Sequence, residues 1–261
     1  HSQDWQWPDQ YDIYVDETTN IAYVKEDIRK AVKLVNSPGI VYIQDTDSYY
    51  DIGRNPIELD RPISIIGYNN TRTIVKSAST SHCVFSIESD EVIIKNLTIS
   101  GACYPADEDN PIQAGVIIYE YQDSDETDDD IVLENNIIKE NSNGITIIAY
   151  NKKPHSISIN DNIICDNKLN GVIVDAGCAK IIDNNISNNK NAGINLWGGE
   201  YGNDIRSNHL FSNRYGIWND EGLFNTFSYN LIENNTIGIS FWSKEQKNKC
   251  CENKIQSYPK K

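Results

Sequence analysis

Residues 161–174, DNIICDNKLNGVIV, and residues 184–196, NNISNNKNAGINL, are two copies of one pattern. Three further copies flank them: NNIIKENSNGITI (135–147), SNHLFSNRYGIW (207–218) and YNLIENNTIGISF (229–241). An Asn recurs at Asn136, Asn162, Asn185, Asn208 and Asn230, in steps of 26, 23, 23 and 22 residues. A Gly follows eight or nine residues later each time, at Gly144, Gly171, Gly193, Gly216 and Gly238. Such internal repetition settles architecture before any other feature of a chain.

Apolar residues keep the same phase. Leu133, Ile159, Ile182, Ile205 and Phe227 lie three positions before each Asn, and Ile137, Ile163, Ile186, His209 and Leu231 one position after. After the Gly come alternating pairs such as Ile145/Ile147, Val172/Val174 and Ile194/Leu196. Alternation over so few residues means strands rather than helices. Asn and Gly between them tolerate the left-handed backbone of a tight corner. The expected fold is all-β: a single right-handed parallel β-helix of about nine or ten coils, each of 22–23 residues with three short strands. One coil cannot bury its inner face alone, so stacked coils build the core.

Upstream, VYIQD (41–45), PISIIGYNNTRTIVKS (62–77) and VFSIESDEVIIKNLTISG (84–101) are weaker coils, with Asn96 in the ladder phase. In YVKEDIRKAVKLVN (23–36), Ile28, Ala31, Val32 and Val35 have helical spacing, which predicts an amphipathic helix capping the open end. Three regions follow: an N-terminal arm and capping helix (1–37), the β-helix (38–243) and a basic tail (244–261) with six Lys and two Glu.

IYVDETTN (13–20), the helix, VYIQD and the NNIIxxNxxGIxI run resemble the β-helix repeat proteins of the NosD and CASH (carbohydrate-binding and sugar-hydrolase) type. The resemblance implies a secreted or cell-surface location and, loosely, a polysaccharide partner. NosD proteins proper are linked to copper-site maturation, for which a chain with no Met and only His1, His82, His155 and His209 offers little. Its motifs are structural and specify fold far better than chemistry.

The formal net charge of −15 argues against nucleic acid and anionic membranes as partners. No apolar run reaches the roughly 18 residues of a spanning helix. A chain that opens on His1 and contains no Met reads as a processed or trimmed piece. Six Cys, with no CxxC pair, fit disulfides in an exported protein better than zinc. Of four glycosylation sequons, those at Asn96 and Asn185 sit on expected buried ladder positions, leaving Asn69 and Asn234 as acceptors. His209 takes an inward slot as a core histidine.

Between Asn96 and Asn136 the step is 40 residues, so about 102–130 is an insertion, within which GVIIYEY (115–121) matches the strand after the Gly. Residues 107–130 hold ten acids and no Lys or Arg. Asp123, Asp125 and Asp128 are the candidate calcium ligands there, against a merely solvated acidic loop; no cofactor is otherwise required.

In the strand after each Gly, the second and fourth residues point outward. Stacked coils then line up Tyr119, Ile148, Ile173, Trp197, Trp218 and Trp242, placing three of the five tryptophans outside the core. An apolar ridge of this kind marks a binding surface, unless the chain's own loops cover it or it joins two copies as a homo-oligomer. Tyr119, Trp197, Trp218 and Trp242 are therefore the candidate glycan-binding residues. Asp175, Glu200, Asp220 and Glu221 lie beside them and are the candidate catalytic acids of a glycoside hydrolase or polysaccharide lyase. The GHG, RIK and DPHE signatures of β-helix enzymes are missing, and only Arg206 and Arg214 lie on the repeat body. Because the acidic surface would repel polyuronates, a neutral glycan is the better expected ligand. The primary expectation is an extracytoplasmic glycan-binding module. A glycan-cleaving enzyme and a non-binding spacer of a cell-surface or virion protein are the alternatives.

Overall fold

The computed structural model describes residues 11–103, 113–120, 131–149, 157–175, 179–198, 202–242 and 247–256. Its strands form three sheets of 11, nine and eight strands, in which each strand pairs with its equivalent one coil away. All these pairings are parallel except an N-terminal hairpin, Ile13–Asp16 with Ile21–Val24, which extends the first sheet. The winding is the right-handed β-helix that the repeat predicts.

One coil shows the plan. Ala179–Ile182 lies in sheet 1, Asn185–Ser187 in sheet 2 and Ala192–Leu196 in sheet 3. Eight coils supply a strand to every sheet, and Lys249–Cys251 with Lys254–Gln256 begin a ninth within the basic C-terminal stretch. The long step after Asn96 belongs to one coil. Its third strand, Ala114–Glu120, pairs with Asn143–Ala149 in the register the repeat demands, with Val116 opposite Ile145.

Inward side chains stack in files along the axis. Ile94, Leu133, Ile159, Ile181, Ile205 and Phe227 line sheet 1, and Val116, Ile145, Val172, Ile194 and Ile217 line sheet 3, all with no exposed surface. Each such residue contributes roughly 1.5–3 kcal/mol of apolar transfer energy, so the files supply the main driving force.

Two corners per coil hold the files in register. Each consists of a left-handed residue followed by a buried Asn. The first corner has Asp161, Asp183 and Ser207 at φ of 54–56°, followed by Asn162, Asn184 and Asn208. In the ladder, the Asn162 backbone N–H and Nδ2 both donate to Asn184 Oδ1, at 2.9 and 3.0 Å. Nδ2 of Asn162 also donates to the Leu133 carbonyl of the preceding coil at 2.9 Å. Asn141, Asn167, Asn189, Asn213 and Asn235 build the same ladder at the second corner. Side-chain amides thus satisfy the buried backbone groups that a bend strips from the sheets.

The register differs by one residue from the expected phase in places. Asn184, not Asn185, is the ladder member, so Ile181 points inward and Ile182 does not. In sheet 2 the inward residues are Ile138, Ile164, Ile186, Leu210 and Ile232, two positions after the ladder Asn. Ile137, Ile163, His209 and Leu231 therefore face out. His209 is half-exposed, not a core residue: Nε2 lies 2.9 Å from Glu233 Oε1, and its ring rests 4.5 Å from that of Phe211. Asn96 is a left-handed corner residue at φ 59°, and Leu97 takes the buried ladder position. The sequon residues Asn96 and Asn185 are accordingly half-buried rather than enclosed.

The capping helix spans Ile28–Leu34 and starts at Asp27, whose side chain accepts the Lys30 N–H at 2.9 Å. It buries Ile28, Ala31 and Val32 against the first strands, Ile21–Val24, Gly39–Ile43 and Ile57–Leu59. Tyr23 and Val24, expected within the helical stretch, belong instead to the strand before it. Tyr14, Tyr23 and Tyr42 stack outside this end, their ring centroids 6.1 and 5.6 Å apart.

Candidate functional site

Sheet 3 carries the outward residues on which function was expected. Pairing places them in two columns rather than one file. The first column runs Ile117, Thr146, Ile173, Asn195, Trp218 and Ser240. The second runs Tyr119, Ile148 and Asp175, then Trp197, Asp220 and Trp242, each tied to the preceding coil by its backbone N–H. Trp197 and Trp218 are therefore diagonal neighbours, and Trp218 stands beside Asn195.

Most of the first column is enclosed: Ile117, Thr146, Ile173 and Asn195 are about 1 % exposed. Ile117 and Ile148 pack with Cys83 and Ala114, and half-buried Tyr119 leans on this cluster. Tyr119 is thus part of a local apolar patch at one end. Trp242 is 77 % exposed at the other end.

Between them lies a groove of about 550 Å³, lined by Trp197, Trp218, Asn170, Asn191, Asn195 and Leu169, with Lys168, Lys190 and Arg214 along one edge. Trp197 and Trp218 are both half-buried. The Trp218 ring stacks on Tyr215 at 5.2 Å and 25°, and the Arg214 guanidinium lies 5.2 Å from the same Tyr215 ring. Asn170 Oδ1 accepts from the Ala192 N–H at 3.1 Å and from Asn191 Nδ2 at 3.0 Å, so those amides hold the wall. Asn195 differs. Its Oδ1 is buried and has no hydrogen-bond partner among the described residues. An unmet buried acceptor costs about 1–3 kcal/mol, so Asn195 is a locally unfavourable spot enclosed behind the groove wall.

Asp175 and Asp220 sit in the second column, either side of Trp197. Burial raises the Asp175 carboxyl above its ordinary range. Asp220 is raised by burial first and then by the neighbouring Glu221 charge. Glu221 is exposed. Glu200 and the candidate calcium ligands Asp123, Asp125 and Asp128 lie outside the described residues. So do Trp5, Trp7 and Cys178. The three cations and Asn195 were not singled out from sequence. Their signal was present: Lys168, Lys190 and Arg214 each follow a ladder Asn directly.

Cys83, Cys103, Cys165, Cys250 and Cys251 are free thiols, so the expected disulfides do not form among the described residues. Cys83 and Cys165 point from different sheets, and desolvation pushes both thiols up to about 12. They remain protonated and unreactive at neutral pH.

Residues 83–259, more than half of the chain, match the family described as periplasmic copper-binding protein (NosD). The chain belongs to the NosD family. Curated proteins give no match. Among solved structures, a pectin methylesterase from Aspergillus niger in a penultimately deglycosylated form is similar at 9 % identity and TM-score 0.58, covering 94 % of this chain and 88 % of that one. Its deglycosylated form gives 9 % identity and TM-score 0.54 with the same coverage. The catalytic domain of a GH87 alpha-1,3-glucanase in complex with nigerose gives 14 % identity and TM-score 0.49, over 93 % of this chain and 46 % of that one. At such identities the likeness is one of fold. For this NosD chain, copper does not suit the described residues: no three His, Cys, Asp or Glu side chains converge, and Met, the soft ligand copper(I) favours, is absent from the sequence. Among the described residues no helix is long and apolar enough to cross a membrane.

Proposed function

We propose that this NosD-family chain is an extracytoplasmic polysaccharide-binding protein whose ligand lies along sheet 3, with Trp197 and Trp218 as stacking platforms. The observation that carries the reading is the groove that both indoles line together with the Asn170 and Asn191 amides. Sugar rings present C–H faces to indoles and hydroxyls to amides, and this wall offers both. The periplasmic description of the family supports the location. The similar solved structures of pectin methylesterase show that this fold accommodates a polysaccharide-modifying site. A glycan array followed by tryptophan fluorescence titration tests the proposal. Saturable quenching by at least one glycan, lost in Trp218→Ala, is expected; silence across the array from folded protein overturns it.

A hydrolytic role is the second reading, favoured by the raised carboxyls of Asp175 and Asp220 around Trp197. A carboxyl that holds its proton more tightly than usual near an indole suits a general acid. The two are two coil steps apart, about 10 Å at roughly 4.8 Å per step, which approaches the span for inversion of about 6.5–9.5 Å and exceeds that for retention. Release of reducing ends from a bound glycan, abolished in Asp175→Asn or Asp220→Asn, is its test. A glycan that binds and stays intact removes this reading and leaves the first.

A further inference from the structure

We infer that the glycan taken by this groove is anionic, carrying a carboxylate or sulfate on successive sugars, and that Lys168, Lys190 and Arg214 recognise those groups. The inference rests on the glycan-binding reading and names its ligand class.

The spacing comes from the ladder. Each cation directly follows one of Asn167, Asn189 and Asn213, whose Nδ2 to Oδ1 bonds of 2.9 and 3.1 Å lock those coils in register. The Lys168 and Lys190 N–H groups donate to the Asn141 and Asn167 carbonyls of the preceding coil, at 2.8 and 3.2 Å. Three positive side chains are thereby stacked one coil apart, about 4.8 Å per step. That step is close to the length of one pyranose unit in an extended chain. The equivalent positions one coil to either side are Ser142 and Thr236, so the cationic strip is three residues long and ends with the groove.

Like charges stacked on neighbouring strands repel, so this strip is unfavourable by itself. Among the described residues no carboxylate neutralises it: none of the three cations forms an ion pair with an acid there. All three are exposed. In a chain of net charge −15, three adjacent exposed cations beside two indoles form a local anion site. The expectation of a neutral ligand rested on overall charge. At physiological salt the Debye length is about 8 Å, so groups inside the groove respond to the strip rather than to distant acids. One acidic sugar would use both elements at once: its ring on Trp218 and its charge on the strip. A single-stranded nucleic acid would also stack and pair, but it needs a longer basic track than three residues in so acidic a chain.

The experiment is a fluorescence titration of the full chain with oligogalacturonate, a sulfated heparin hexasaccharide, a neutral glucan hexasaccharide and oligo-deoxythymidine. It is run on the parent, on the triple variant Lys168→Gln, Lys190→Gln, Arg214→Gln, and on Trp218→Ala, with melting curves to check folding. One of the anionic oligosaccharides is expected to bind about 10-fold more tightly than the neutral glucan at low salt, as three exposed ion pairs allow. The gap should close at high salt and in the triple variant; which of the two acids wins separates carboxylate from sulfate. Neutral glucan binding as tightly as either, unchanged in the triple variant, overturns the anionic inference and leaves glycan binding standing. No oligosaccharide binding at all overturns both. Tighter, cation-dependent binding of oligo-deoxythymidine overturns the inference in favour of nucleic acid.

Discussion

Asp175 and Asp220 bracket Trp197 in one outward column of sheet 3, one coil before it and one coil after. Both carboxyls lie above the ordinary value of 3.8, for which burial is the leading cause. A raised carboxyl binds its proton more tightly in the folded chain than in the unfolded one. Its favourable contribution is full below the unfolded value and is lost as pH rises through the folded value. Near neutrality, each charge therefore opposes folding. Asp175→Asn keeps the shape and removes the charge, so it should melt at a higher temperature than the parent at pH 7 and at nearly the same temperature at pH 3. Parallel melting curves across that range check this; a difference that stays constant with pH refutes the account.

Gly193 sits where the chain passes close to the next coil. A Cβ built there would meet the Gly216 carbonyl oxygen at 2.7 Å and Leu210 Cδ2 at 3.0 Å. The first of these is backbone, which cannot swing away. Gly193→Ala should therefore cost about 1–3 kcal/mol, the range for overpacking, despite the higher intrinsic stiffness of Ala. Denaturant unfolding measures it. Gly198→Ala is the control, because its Cβ would come only within 3.6 Å of Asp175 Oδ1.

Asn189 closes hydrogen bonds on both sides of its coil. Its Oδ1 accepts the Asn167 backbone N–H at 3.2 Å and Nδ2 at 2.9 Å, while its own Nδ2 donates to the Ile164 carbonyl at 3.2 Å and to Asn213 Oδ1 at 3.1 Å. Asn189→Ala strands several buried groups, each costing about 1–3 kcal/mol. A loss of at least about 2 kcal/mol is expected. Asn188→Ala, at the exposed left-handed corner residue, should cost less, about 1 kcal/mol from the backbone alone.

The β-helix was legible because its information is periodic: Asn, Ile and Gly at fixed offsets encode corner, core and close approach in every coil. Phase was harder. The doublet Asn184–Asn185 offers two residues for one ladder slot, and only stacking on Asn162 and Asn208 chooses between them. His209 turned outward for a separate reason: the inward residue of sheet 2 stands two positions after the ladder Asn, not one. The site was half legible. Alternation placed Trp197 and Trp218 outside the core, and their offsets of four and two residues from Gly193 and Gly216 were already readable; merging both offsets into one ridge hid that they form a diagonal pair. The cations were hidden for another reason. Net charge describes the whole chain, whereas Lys168, Lys190 and Arg214 gain meaning only when three coils bring them side by side.

That diagonal arrangement separates the tryptophans by experiment. Trp197 and Trp218 line the groove, and Trp242, although the most exposed of the three, does not. If exposure alone made a sugar platform, Trp242→Ala would weaken glycan binding most. If enclosure beside polar partners matters, Trp218→Ala should cost most, because it removes the groove-lining ring stacked on Tyr215. A loss of about 1–3 kcal/mol in binding is expected for Trp218→Ala, the size typical of aromatic stacking on a ring ligand. Trp242→Ala should stay within about 0.5 kcal/mol of the parent, as surface substitutions away from a site generally do. Calorimetric titration of both variants with whichever glycan the parent binds decides the matter. A larger loss for Trp242→Ala would move the ligand off the groove and toward the end of the solenoid.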